Sequence, residues 1–287
     1  MKIPPYWSKA QHPVDNSNGR TDGVIACGWS FFSLEDAKVQ AALRAKRIFD
    51  IISKGQKPDT YDYCDRPVKE EIIREILDEK EQIALITRNR YGSLVLNSAK
   101  VLFADIDFPP ASPKGLLEIL AFMFIPKKRE EKQQAIIKET TQRITQWAHS
   151  NPSHSFRMYR TQQGLRLLFT DKLYDPISNE TMAILHELNS DPMYIKLTQK
   201  QECFRARLTA KPWRCGCSRP PNSYPRDNAE ADRLFHQWET QYTSAASKFR
   251  ACEFLKAFGT VANIRALKAI INAHDQGSMI DRTVPLA

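Results

Sequence analysis

Several large protein classes are excluded by what the chain has little of. Ten glycines in 287 residues are too few for a fibrous or linker-rich protein. The longest apolar run, 116–125, is interrupted by Glu118 and falls well short of the ~20 residues a membrane helix needs. The opening stretch, Met1-Lys2-Ile3-Pro4-Pro5-Tyr6-Trp7, has no apolar signal region, so the expectation is a soluble, cytoplasmic protein with no membrane partner. No G-x-x-x-x-G-K-[ST], G-x-G-x-x-G or G-x-S-x-G occurs, which leaves P-loop, dinucleotide and hydrolase chemistry without support. Six cysteines in a chain this long do not suggest the disulfide framework of a small secreted domain, and free thiols are expected.

Enough apolar material is present, at 42% hydrophobic residues, to bury a sizeable core. The net charge of +9 is concentrated. Residues 196–226 hold eight basic side chains and one acid, Glu202, which is +7 of that total. A basic segment of this kind points to a polyanionic partner such as nucleotide phosphates or a nucleic-acid backbone, unless countercharges elsewhere in the chain absorb it.

Residues 1–32, rich in Pro, Asn and Gly, read as an irregular arm. Ser33 with Asp36 signals the start of a helix over 35–53, with Leu43, Ile48, Phe49 and Ile52 on its apolar face. Ile72, Ile73, Ile76 and Leu77 predict a second helix over 68–80. Residues 83–87 and 93–96 read as a hairpin around Asn89-Arg90-Tyr91-Gly92. An apolar strand over 101–104 runs into Asp105-Ile106-Asp107 and stops at Pro109-Pro110. A short apolar helix is expected over 116–125 and a charged one over 127–149. A second hairpin joins 156–160 to 165–170 across Thr161-Gln162-Gln163-Gly164. Ser178 caps a helix through 188, Asp191-Pro192 opens an extended piece, and 203–209 alternates as a strand. Residues 210–226 form a loop and 228–274 read as helical, with a break near Gly259. The class is α+β, divided into an N-terminal arm with helices (1–82), a β-rich core with inserted helices (83–226) and a C-terminal helical tail (227–287).

Asp105 and Asp107, two apart on a strand, leave the same face. Carboxylates held that close repel, so one stays protonated unless a cation such as Mg²⁺ or Mn²⁺ sits between them with substrate phosphates completing its shell; the alternative is that one Asp caps a turn and the other is solvated. The turn after Arg160 and Thr161, with Gly164 allowing close backbone approach and Arg166 nearby, has the makings of a phosphate cradle. Arg205 and Arg207 share a strand face, with Lys211 just beyond. Asp191 by itself reads as a turn former. Cys215 and Cys217 are too tightly spaced for a usual zinc pair. His274-Asp275 reads as a cap at the end of the last helix. Trp213, Tyr224 and Phe235, interleaved with the basic loop, are either core plugs or stacking surfaces for unpaired bases.

Taken in order, these parts resemble the archaeo-eukaryotic primases and primase-polymerases: an h-D-h-D strand end (Phe103-Ala104-Asp105-Ile106-Asp107), a hairpin of the form S/T-x-x-G-x-H (Thr161-Gln162-Gln163-Gly164-Leu165-Arg166), a single Asp191, then Arg205 and Lys211. The resemblance covers about 83–215 and departs at the histidine, which here is Arg166. It implies a catalytic sheet like that of the RNA-recognition motif. It also implies two divalent ions on Asp105, Asp107 and Asp191, and a triphosphate held by Arg166, Arg205 and Lys211. The implied activity is templated addition of nucleotides from NTP or dNTP to a 3′-hydroxyl on single-stranded nucleic acid. Loss of turnover with an intact fold is then expected for replacement of Asp105 or Asp107. The alternatives are a nucleotide- or nucleic-acid-binding protein of the same fold without the chemistry, and a nucleotidyltransferase that makes a small signalling product.

Overall fold

The computed structural model describes residues 1–13, 23–57, 67–113, 115 and 125–287; the apolar helix expected over 116–125 lies outside them, except Ile125. Among the described residues three antiparallel sheets and six α-helices make an α+β protein. Strands β6 (Phe103–Asp107), β7 (Phe156–Thr161), β8 (Gly164–Phe169) and β10 (Cys252–Phe258) form one sheet in the order β10-β7-β8-β6. A second sheet has the order β3-β4-β5-β9, from β3 (Glu71–Asp78), β4 (Glu81–Arg88), β5 (Leu94–Ser98) and β9 (Phe204–Arg207). One continuous core runs through both, joining Ala84, Leu96 and Ala206 to Phe103, Leu167 and Phe156. Burying that much aliphatic and aromatic surface is the main force holding the two sheets together.

The two central hairpins form where the turn signals put them. Asn89 accepts hydrogen bonds from the backbone N–H groups of Tyr91 and Ser93, closing the β4–β5 turn. Of the helices, α1 (Leu34–Ser53) starts at Ser33, whose hydroxyl accepts from the N–H of Asp36. The charged helix α2 (Pro126–Ser150) buries Ile144 against the sheet, and α3 (Asn179–Glu187) starts at Ser178.

Six expectations need correction, each for a physical reason. Residues 6–13 and 23–30 are not an irregular arm. Strands β1 (Tyr6–Pro13) and β2 (Gly23–Ser30) pair from Tyr6↔Ser30 to Pro13↔Gly23. Helix α1 packs on that hairpin through Ala37, Ala41 and Ala45, whereas Leu43 and Ile52 are exposed. The approach is close enough that a Cβ on Gly28 would sit 2.1 Å from the Ala41 nitrogen, so small residues and not large ones make this contact. The helix expected over 68–80 is strand β3, whose register slips twice, between Ile72 and Arg74 and between Ile76 and Leu77. Each slip breaks the alternation of period two, which leaves isoleucines at spacings that imitate a helix. Asp191 is the N-cap of helix α4 (Pro192–Gln201), with Pro192 at its first position, so the expected extended piece is helical. The C-terminal region contains α5 (Ala229–Ala246) and α6 (Arg265–Ser278), but the segment between them is β10, which pairs with β7 at the sheet edge. Finally, His274 does not cap a helix end. It is fully buried against Phe103 and Tyr159, and Asp275 beside it accepts from Arg157 and Tyr159, fastening α6 to the sheet.

Candidate functional site

Strand β6 ends with Asp105 and Asp107 on one face, and β8 runs antiparallel beside it with Arg166 opposite Asp105 and Gly164 opposite Asp107. That register decides what Arg166 does. Its Nε donates to Asp105 Oδ1 at 3.0 Å and its Nη1 to the carbonyl of Arg207 at 2.9 Å. At 3% exposure it is a buried counter-ion, not a phosphate ligand facing solvent. Burial alone would weaken its hold on the proton, but the groups around it, Asp105 foremost, more than offset this and keep the guanidinium charged.

The third acid arrives from α4. The Asp191 N–H donates to the carbonyl of Asp105 at 3.1 Å, and its carboxylate accepts from the N–H groups of Met193 and Tyr194. Asp107 registers the crowding. Its pKa is raised by burial first and then by the charges of Asp191 and Asp105, with Lys211 opposing. The three acids thus form one electrostatic group, although among the described residues no set of three His, Cys, Asp or Glu side chains is gathered as a metal cage. Because Asp107 binds its proton more tightly folded than unfolded, ionising it costs stability above its folded pKa and nothing below the ordinary value of 3.8. Asp107→Asn is therefore expected to raise the Tm at pH 7, with the gain shrinking as the buffer is acidified through the carboxylate range. Equal Tm values for the two chains at pH 7 would show that the carboxylate is not strained.

Between Asp105 and the second sheet lies a cleft of about 390 Å³, lined by Asp105, Tyr91, Tyr194, Arg205, Arg207 and Lys211. Residues separated by a hundred positions in the chain thus meet in one cavity of a size suited to a small ligand. Their roles differ. Arg205 is held by Glu70, at 2.6 and 2.7 Å, and by Gln201, and Glu70 also accepts from Thr87, so this cation is already compensated. Downstream, Arg226 is likewise paired with Glu71 and Asp232. Among the described residues, by contrast, Arg207, Lys211, Arg214 and Arg219 have no carboxylate within ion-pair distance. The Arg207 pKa is pushed down to about 10 by burial and then by Arg166 and Arg214. Lys211 is lowered by burial and by Arg207 and Arg214, with Asp107 acting the other way. Cations that depress one another in a half-buried cleft are stabilised by an anion placed among them.

The remaining candidates separate. Arg160 pairs across the strands with Leu165, and Tyr159 with Arg166, so Arg160 and Arg166 leave the sheet on opposite faces and cannot cradle one phosphate. Thr161 Oγ1 donates to the carbonyl of Gly164 at 3.2 Å and closes the turn. Gly164 permits close packing, since a Cβ there would lie 2.2 Å from the Ile106 carbonyl oxygen. Cys27, Cys203, Cys215, Cys217 and Cys252 are free thiols; Cys215 and Cys217 pack beside the aromatic cluster of Phe235, Trp238 and Tyr242. Sequence reasoning missed Tyr91 and Glu70. Tyr91 reads only as a turn residue, and Glu70 pairs with an arginine 135 positions away. No family model, curated protein or solved structure matches the chain.

Proposed function

We propose that the protein is a metal-dependent nucleotidyltransferase of the primase-polymerase kind, working in the cleft between the two sheets. One observation carries this reading: Asp105, at the end of β6, shares a single cleft with Arg207 and Lys211, two cations without a carboxylate partner. Lys211 and Arg207 would bind the β- and γ-phosphates of a nucleoside triphosphate, with Arg214 beside them. Arg166 would fix the rotamer of Asp105 through their ion pair. The donor chemistry suits a hard divalent ion. Mg²⁺ needs only one or two protein carboxylates when phosphates and water complete its shell, and the strain on Asp107 is of the kind a cation relieves. Asp107, with Asp105 and Asp191, would hold Mg²⁺ or Mn²⁺, which when bound polarises phosphate oxygens and offsets their developing charge. In the reaction a 3′-oxygen attacks the α-phosphorus, the new P–O bond forms as pyrophosphate leaves, and the hydroxyl proton passes to solvent.

The test is incorporation of labelled NTP or dNTP on primed and unprimed single strands with Mg²⁺ or Mn²⁺. Asp107 is the residue to change, because among the described residues it makes no ion pair whose loss would unfold the chain. Asp107→Asn is expected to lower turnover on the order of a hundredfold or more, which matches the loss of several kcal/mol of transition-state stabilisation. Retained turnover in this variant would overturn the reading. The Arg166–Asp105 ion pair favours a second reading, a binding protein without chemistry, because a fixed cation already occupies one oxygen of the first acid. Triphosphate binding by folded wild type, with no product under either metal, would establish it.

A further inference from the structure

The notable surface outside the cleft is an aromatic pair at its mouth. Trp213 stands on a short 3₁₀ turn (Pro212–Arg214) and is 46% exposed, a large apolar area to leave in water. Its ring meets Tyr91 edge to face, with centroids 5.3 Å apart and planes at 89°. Both turns are closed by backbone hydrogen bonds: the N–H of Tyr91 donates to the Asn89 side chain, and the N–H groups of Cys215 and Cys217, beyond Trp213, donate to the carbonyl of Pro212. Three cations frame the rings. Arg90 lies 4.7 Å from the Tyr91 centroid, Arg219 lies 5.3 and 5.4 Å from the two centroids, and Lys211 lies 5.6 Å from that of Trp213.

A comparison within the molecule shows what is unusual here. Arg226 also sits over an aromatic ring, that of Phe235 at 3.6 Å, but Phe235 is buried in a core cluster and Arg226 is paired with Glu71. That set is self-contained, and it settles Phe235 as a core plug. Around Trp213, one ring remains exposed and two cations, Arg219 and Lys211, lack a carboxylate partner among the described residues. An exposed ring, with a half-buried one beside it and cations around both, suits a ligand that has both flat apolar faces and regularly spaced negative charges. A duplex hides its faces in the stack, and an acidic peptide has none. A single strand presents both.

We propose that Tyr91 and Trp213 form a stacking platform for unpaired bases of a single-stranded nucleic acid, whose phosphates run past Arg219. The platform opens directly onto the cleft, because Tyr91 and Lys211 line both. Its role as the seat of a template strand rests on the proposed nucleotidyl transfer, whereas the binding itself does not.

Binding of a fluorescein-labelled oligothymidylate, followed by anisotropy, tests the platform. Trp213→Ala is expected to weaken binding about 5- to 100-fold, the range for loss of one stacked base, and Trp213→Phe to restore most of it. Arg219→Gln is expected to reduce the slope of log K against log salt by about 0.7, the value for one phosphate contact on a single strand. Tripolyphosphate binding is expected to be unchanged by Trp213→Ala. The proposal is overturned if wild type fails to bind at about 50 mM salt, or if folded Trp213→Ala binds like wild type. It is equally overturned if a duplex or polyglutamate competes as well as the single strand. Trp213-dependent binding without nucleotide incorporation would sink the proposed function and leave the platform standing; incorporation unaffected by Trp213→Ala would do the reverse.

Discussion

Asp105→Ala is expected to lower the free energy of unfolding by about 3 kcal/mol, and adding Arg166→Met to restore much of that loss. The first change strands a guanidinium that is 3% exposed, loses its counter-ion, and is too basic to shed its proton near pH 7 even when buried. The size is set at the low end of the cost for a broken buried pair because the Asp105 side chain is 32% exposed, so water partly screens it. Methionine at 166 removes the buried charge and fills similar space, though the carbonyl of Arg207 loses the donor it now has, at a cost of about 1 kcal/mol. The four chains of this cycle, unfolded in urea at pH 7 with a common m-value, are expected to show a coupling of about 2 kcal/mol. Strictly additive costs would mean that the ion pair contributes nothing and that packing alone holds Arg166. The consequence for function is direct. The expectation that either acid can be replaced with the fold intact is kept for Asp107 and revised for Asp105, where lost turnover would mix chemistry with unfolding.

The parts that were legible in the sequence are those whose signals are local. The apolar lead-in to Asp105, the turn residues around Gly92 and Gly164, and the serine caps of α1 and α3 each act within a few residues, and the structure follows them. The β3 strand was hidden because two register slips spoil its alternation. Strand β10 was hidden because it lies at the sheet edge, with Phe254 and Leu255 about a third exposed, so that neither face reads as a core stripe. In the site, the Asp105–Asp107 pair and the basic segment could be read directly, Asp191 joined them only through the family resemblance, and the division of labour among the cations could not be read at all. Arg205 is compensated by Glu70 and Arg226 by Glu71, each from a segment far away in the chain, and only that pairing reveals which charges remain for an anion. Likewise Arg166 meets Asp105 through cross-strand register, which no spacing along the chain discloses.

Gly164→Ala is expected to be destabilising by about 2–3 kcal/mol, although replacing a strand glycine usually stabilises by restricting the unfolded chain. The added Cβ would lie 2.2 Å from the carbonyl oxygen of Ile106, 3.0 Å from its carbon and 3.1 Å from the Cα of Asp107. All three are backbone atoms of β6, so no side-chain rotamer can relieve the contact and the strand itself has to move. It can move, because β6 is the outer strand of its sheet with β8 as its hydrogen-bonded neighbour. The displacement falls on the end that carries Asp107, which pairs with Gly164, and an acid misplaced by about 1 Å is enough to cost on the order of a hundredfold in turnover. The two effects can be separated by measuring Tm together with the pH dependence of stability. Under this account Gly164→Ala lowers the Tm and also weakens the gain that Asp107→Asn gives at pH 7, because Asp107 has shifted relative to Asp105 and Asp191. A normal Tm in Gly164→Ala would show that β6 yields at little cost. A lowered Tm with an unchanged Asp107 effect would place the strain elsewhere in the sheet and leave the acidic end of β6 undisturbed.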